Sequence, residues 1–296
     1  MKHINLLLPV VLLFLISCTS ERIDQLPGIT GTVVHYEDSP SEYVAPRNLD
    51  VWLPPSYDTE PHTRYPIVYM HDGQNLFNPE TSFIGVDWGV DEAMTKLIAE
   101  GNTREAIVVG IWNTPRRYYE YLPQRPIREM VDRGFLDLEQ QGLEMPESDD
   151  YLKYIVYELK PYIDANYRTL PGKHDTSIMG SSTGALISIY AVCEYPDVFG
   201  GAGCVSTHWP VGEGYVLQYL QHHIPAPGEH KFYFDYGTET LDSLYEPFQL
   251  KADVILREAG YMESVDWLTI KFEGHEHSER AWRERVHIPL EFLIGQ

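Results

Sequence analysis

Gly180-Ser181-Ser182-Thr183-Gly184 fits the pattern G-x-S-x-G. The chemistry it suggests is nucleophilic. A serine hydroxyl is inert near neutral pH, so one that attacks a carbonyl needs a base to take its proton. The base in turn needs an acid to orient it. The glycines suit a turn too sharp for larger side chains, one that holds the Ser182 hydroxyl clear of the chain. Downstream lie histidines at 208, 222, 223, 230, 275, 277 and 287, and many carboxylates. Which of them serve depends on the elements that carry them.

Short apolar runs at 33–36, 49–53, 65–71 and 106–111 predict strands. In 65–71 the successive Ile67, Val68, Tyr69 and Met70 suit a strand buried on both faces. Helical spacing covers 90–99, and also 151–167, where Ile155, Leu159 and Ile163 recur at i, i+4 and i+8. Pro161 predicts a kink there. Residues 112–148, rich in Pro, Arg and Tyr, predict a long functional loop. Next come a strand at 176–179 and a helix at 183–193, so Ser182 falls on a strand-to-helix turn. Strands at 203–206, 232–236 and 265–272 follow, with helices at 247–259 and 279–293. This alternation predicts the α/β class: a mostly parallel central sheet with helices on both faces.

Around such a turn the serine is followed in the chain by the acid and then the histidine. The base belongs on the loop after the last strand, which holds Gly274-His275-Glu276-His277. The acid belongs after the strand before it, where Gly237-Thr238-Glu239-Thr240-Leu241-Asp242 offers Glu239 or Asp242. No zinc pattern H-E-x-x-H is present, and His275 and His277, two apart, do not share a helix face. His222-His223 reads as the surface of a helix. No metal and no cofactor are expected.

The composition is that of a globular chain: 296 residues, 43% hydrophobic and 22% charged. A net charge of −22 argues against nucleic acid and against adsorption to anionic headgroups. At the N-terminus, Lys2 and His3 precede an apolar run from Leu6 to Ile16, too short to span a bilayer comfortably but suited to a signal peptide. It ends in Leu15-Ile16-Ser17-Cys18, which resembles a bacterial lipobox. The resemblance implies cleavage before Cys18 and lipidation of its thiol. The expected organisation is a signal peptide over 1–17, a tether over 18–30 and one domain over 31–296, lipid-anchored at the cell envelope on its periplasmic or outer surface. Cys193 and Cys204 read as buried free thiols.

Four motifs taken in order resemble one family: Tyr69-Met70-His71-Asp72-Gly73-Gln74-Asn75-Leu76-Phe77, the Gly180–Gly184 turn, Asp235-Tyr236-Gly237-Thr238 with Leu241-Asp242, and 274–279. They are similar to the bacterial "putative esterase" family, which includes enterochelin-esterase-like and feruloyl-esterase-like α/β-hydrolases, over about 48–293. The resemblance implies Ser182 as nucleophile, Asp242 as acid and His277 as base. It also implies an oxyanion hole from the Thr183 N–H and the loop at Gly73 and Gln74. The family's methionine after the serine is Thr183 here, tolerable because the donor is backbone. For Asp242, Leu241 is the expected shield from water, while Glu239 lies between two threonines. His71 and Asp72 are expected to shape the loop rather than act as a second acid–base pair.

Two further groups bear on substrate. Trp112, Tyr118, Tyr119, Tyr121, Trp209 and Tyr245 fall near strand ends, as a stacking platform or as rim packing. Arg116, Arg117, Arg125, Arg128 and Arg133 lie among Glu120, Glu129 and Asp132, either to bind an anionic substrate group or to form an internal ion-pair network. Trp112, Arg116 and Trp209 are the expected substrate contacts. The expected substrate is a small-molecule or oligosaccharide ester, an acylated carbohydrate or an aryl ester. The alternatives are a siderophore trilactone, or a non-catalytic binding lipoprotein on the same scaffold.

Overall fold

The computed structural model describes residues 20–23, 30–140 and 142–295. Alternation within the strands determines its layers. In β4 (Ile67–His71), Ile67 and Tyr69 enter one apolar cluster while Val68 and Met70 enter another. β5 (Ile107–Ile111) divides likewise, Val109 to the first cluster and Val108 to the second. Successive side chains of a strand point to opposite faces, so both faces of this sheet are covered. Leu186 and Ile189 of the helix Thr183–Glu194 cover one face. Met94 and Leu97 of the helix Val90–Glu100 and Leu290 of the helix His287–Ile294 cover the other.

The remaining strands are β1 (Ser20–Ile23), β2 (Thr32–Ser39), β3 (Arg47–Leu53), β6 (Thr176–Ser181), β7 (Gly201–Val205), β8 (Lys231–Gly237) and β9 (Trp267–Phe272). Their spatial order is β1-β2-β3-β5-β4-β6-β7-β8-β9. β1, β2 and β3 pair antiparallel, as does β3 with β5, and every pair from β5 to β9 is parallel. The mostly parallel α/β sheet expected from the sequence is the one observed. Its parallel part brings the carboxyl ends of β4, β6, β7, β8 and β9 to one edge, where ligands bind in open α/β sheets.

Four expectations change. Part of the predicted tether, Ser20–Ile23, is strand β1 in antiparallel register with β2. The predicted loop 112–148 contains the helices Arg117–Tyr121 and Gln124–Asp132. The helical run that holds Pro161 is not uniform; a wider π turn over Tyr154–Leu159 precedes the helix Lys160–Asn166, whose first turn holds the proline. A π turn is how a helix absorbs a missing donor. The last helix is two, Glu279–Arg285 and His287–Ile294, because Pro289 has no N–H to offer the Arg285 carbonyl. The expected signal peptide over 1–17 and Cys18 lie outside the described residues. Cys193 and Cys204 are free thiols, and burial pushes both up from the ordinary thiol range.

Candidate active site

Ser182 stands between β6 and the helix Thr183–Glu194 with φ 59° and ψ −121°, a conformation that non-glycine residues rarely adopt. Its N–H donates to the Val205 carbonyl at 3.0 Å, which pins the turn to β7. A side chain at Gly180 would press within 3.0 Å of the Gly184 backbone, whereas one at Gly184 would find ordinary contact at 3.5 Å. Gly180 is therefore the glycine the turn requires. Ser181 is buried in β6, and Ser182 is the partly exposed serine of the pair.

The loops after β8 and β9 meet over this edge. Asp242 Oδ1 lies 2.6 Å from His277 Nδ1, and Glu239 is exposed. Asp242 Oδ2 accepts from Ser206 Oγ at 2.5 Å and from the Gly237 N–H at 2.6 Å. Burial pushes the Asp242 carboxyl up, but the hydrogen bonds from His277, Ser206 and Gly237 outweigh it and hold the group below its ordinary value. Leu241 is not the shield expected from the sequence, being 49% exposed. Asp242 is covered from beneath by Ser206, whose Oγ also accepts from Trp282 Nε1 at 3.0 Å and Arg285 Nη2 at 2.8 Å. Arg285 is buried and reaches Asp235 Oδ1 at 3.1 Å, and Asp235 in turn accepts from the Ser206 N–H. The Trp282 ring stands edge-on to His277, with centroids 5.0 Å apart. His275 serves the backbone: its carbonyl accepts from the N–H groups of Thr238 and Glu239. Ser278 caps the helix Glu279–Arg285 and so fixes the residue after His277.

On the other side, Gly73 and Gln74 lie in a single helical turn, Gly73–Asn75, directly after β4. A side chain on Gly73 would overlap the Gly110 backbone, so only glycine lets this turn lie on β5. Asp72 precedes the turn at φ 58°, in the left-handed region. It pairs with Arg117 through two hydrogen bonds of 2.7 Å, and Arg117 Nη1 donates to Thr183 Oγ1 at 2.9 Å. One guanidinium thus ties the loop after β4 to the first residue after Ser182. Burial pushes Asp72 up, but Arg117 outweighs it and holds the carboxyl below its usual range. His71 is buried beside Tyr151, 2.8 Å from its hydroxyl, and burial lowers its pKa to about 3, so the ring is neutral. These are the loop-shaping roles expected for His71 and Asp72.

The three expected substrate contacts each have partners within the protein. Trp209 is fully buried; its indole donates to Gln249 Oε1 at 2.7 Å and packs on Phe234. It is a core residue, because its strand-end loop turns back under the helix Glu246–Ala259. Trp112 points to the antiparallel flank, donating to Asp50 Oδ2 at 2.5 Å and standing edge-on to His35. Arg116 is taken by Glu144 and Glu147 at 2.8 and 2.6 Å, and Arg125 by Glu194 and Glu129. The arginine cluster is largely an ion-pair network, and Arg117 is its member at the serine. Of the aromatic group, Tyr121 and Tyr245 are buried and Tyr118 is half-exposed. Ser206 and Arg285 were not singled out from the sequence, His208 stood only among the downstream histidines, and Arg117 only as one of five clustered arginines; each is brought to Ser182 or Asp242 by an element distant in the chain.

A strained serine on a strand-to-helix turn, over a mostly parallel sheet and facing loops after the next strands, defines the α/β-hydrolase fold. Residues 42–286 match the family model described as "Putative esterase", and the chain belongs to that family of carboxylic ester hydrolases. Membership sets aside the reading of a non-catalytic scaffold. Among relatives, the uncharacterized protein YbbA of Bacillus subtilis is 26% identical over 84% of this chain and 93% of its own length. Ferri-bacillibactin esterase BesA of the same organism is 24% identical over 66% of this chain and 65% of its own. Among solved structures, a ferulic acid esterase superposes with TM-score 0.63 at 16% identity, over 93% of this chain and 98% of the other. The enterobactin esterase FES of Shigella flexneri superposes with TM-score 0.64 at 18% identity, over 91% of this chain but 60% of that one.

Proposed function

We propose that the chain hydrolyses carboxylic esters through Ser182, His277 and Asp242. The observation that carries this reading is the hydrogen bond from His277 Nδ1 to a buried Asp242 on the edge of the sheet where Ser182 is strained outward. His277 takes the Ser182 proton as the hydroxyl attacks the carbonyl. The Thr183 N–H and the turn at Gly73 and Gln74 hold the oxyanion, and Arg117 fixes the two against each other through Asp72 and Thr183 Oγ1. His277 then protonates the departing alcohol, and water releases the acid from the acyl-enzyme.

The preferred substrate is an uncharged acyl ester, an acylated carbohydrate or an aryl ester. Charge balance supports this: Arg117 at the site is already paired with Asp72, and Arg116 and Arg125 are taken by glutamates. A trilactone siderophore is the second reading, favoured by the names of BesA and FES. Turnover of methyl ferulate, an acetylated xylo-oligosaccharide and a catecholate trilactone should be compared on one preparation. Preference for the trilactone would reverse the order of the two readings.

We also propose that Cys18 anchors the protein by lipid at the cell envelope, an assignment that rests on the Leu15-Ile16-Ser17-Cys18 sequence alone. In a host that lipidates exported proteins, Cys18→Ser should leave the chain soluble or unprocessed. Processed protein that still partitions with membranes would overturn the anchor.

A further inference from the structure

Tyr245 follows the turn that carries Asp242, and its N–H donates to the Asp242 carbonyl at 2.9 Å. It is 1% exposed, so its hydroxyl needs partners within the protein. One is His208, whose Nδ1 lies 2.7 Å away. The side chain of Ser182 is a near neighbour of the same hydroxyl. The Tyr245 ring also stands edge-on to His277, with centroids 5.7 Å apart and planes at 90°. His208 is fixed to the same place by its backbone, its N–H donating to the Ser182 carbonyl at 3.2 Å. The proposed nucleophile therefore has a buried polar neighbour that no step above uses.

We propose that Tyr245 is a further catalytic residue, donating its O–H to Ser182 Oγ, and that His208 is the positioning residue that makes it a donor. This rests on the esterase reading. A proton count sets the direction. Ser182 has one proton, and His277 must receive it. A phenol that accepted this proton would compete with His277, so in the reactive arrangement the phenol donates. Its oxygen then takes a hydrogen bond from His208 Nδ1–H. Burial, with His277 and Arg117 nearby, holds the His208 pKa below its ordinary value. The ring is then neutral, with its single proton at Nδ1.

The two halves of the reaction use this donor differently. In acylation Oγ is the nucleophile; a donor on it fixes its direction but draws electron density from it, and the two effects oppose each other. In deacylation Oγ is the leaving group. The bond between the acyl carbon and Oγ breaks, its electron pair returns to Oγ, and Oγ takes a proton from the His277 imidazolium. A phenol already bonded to Oγ stabilises the charge that develops there. Deacylation depends on Tyr245 more than acylation does.

Pre-steady-state hydrolysis of p-nitrophenyl acetate separates the two steps. Tyr245→Phe should lower kcat about tenfold and KM in parallel, leave kcat/KM within about twofold, and raise the burst towards one product per enzyme. His208→Ala should do the same, and the double variant should be no worse than either single one. If Tyr245→Phe does not fold, His208→Ala carries the test with the same readouts. Against an active parent, an unchanged kcat, or a kcat/KM that falls as far as kcat without a burst, overturns the proposal alone. A parent that labels with fluorophosphonate on no serine and hydrolyses no ester overturns the esterase reading, and this proposal with it.

Discussion

Gly237 lies so close beneath His275 that a methyl group on it would overlap the His275 carbonyl oxygen. The contact brings the end of β8 under the loop after β9, and the N–H groups of Thr238 and Glu239 close onto the same oxygen at 3.1 and 3.0 Å. Through it the loop carrying Asp242 and the loop carrying His277 become one unit.

Gly237→Ala should therefore push the two loops apart. The overlap is with backbone, which cannot rotate away, so the cost is about 1–3 kcal/mol of stability. A shift of the histidine by about 1 Å should also cost on the order of 10² in kcat. Denaturant unfolding and ester hydrolysis on one preparation check both. A variant with native stability and activity would mean that the loops accommodate each other freely.

Asp242→Asn should lower kcat by on the order of 10⁴, because an amide favours the wrong histidine tautomer. Glu239→Gln should change kcat less than about threefold, since Glu239 is exposed and His277 is held by Asp242 at 2.6 Å. Steady-state kinetics of the two isosteric variants settles the ranking. The reverse order would move the acid to Glu239.

Asp72→Asn should leave Arg117 without its carboxylate. One partner of the pair is buried and the other about a third exposed, so the expected loss is about 1–3 kcal/mol at neutral pH. The folded pKa of Asp72 lies below its unfolded value. Its contribution is therefore fully present above the usual carboxylate range and is lost as pH falls through the folded value. The stability gap between parent and variant should narrow as pH is lowered from about 7 towards about 3. A gap that stays constant over that range would show that the charge of Asp72 contributes nothing.

Much of this was legible in the sequence. The alternation of apolar runs and helical spacing predicts the parallel sheet, and the Gly180–Gly184 pattern on a strand-to-helix boundary places Ser182. Chain order narrows the base to 274–277 and the acid to Glu239 or Asp242. What lay beneath them was not legible. Nothing in the helical spacing over 279–293 marks Arg285, and only the fold turns it inward onto Asp235 and Ser206. Leu241 looked like a shield because it is apolar, but in a turn of three residues per repeat the side chains that face in are Asp242 and Tyr245, and Leu241 faces out. Trp209 turned out to be a core residue for a related reason. An aromatic residue at a strand end suits core and rim equally, and local sequence does not say which way it turns.

Ser182, and not its neighbour Ser181, is proposed to attack the ester. Ser181 is buried in β6, and only the strained Ser182 can present its hydroxyl. The direct test is mass spectrometry of the chain after reaction with a fluorophosphonate, on the parent and on folded Ser182→Ala and Ser181→Ala variants. The expected result is a single adduct on Ser182 in the parent and in Ser181→Ala, none in Ser182→Ala, and loss of p-nitrophenyl acetate hydrolysis in Ser182→Ala alone. An adduct elsewhere, or hydrolysis that survives in Ser182→Ala, would mean that another residue is the nucleophile.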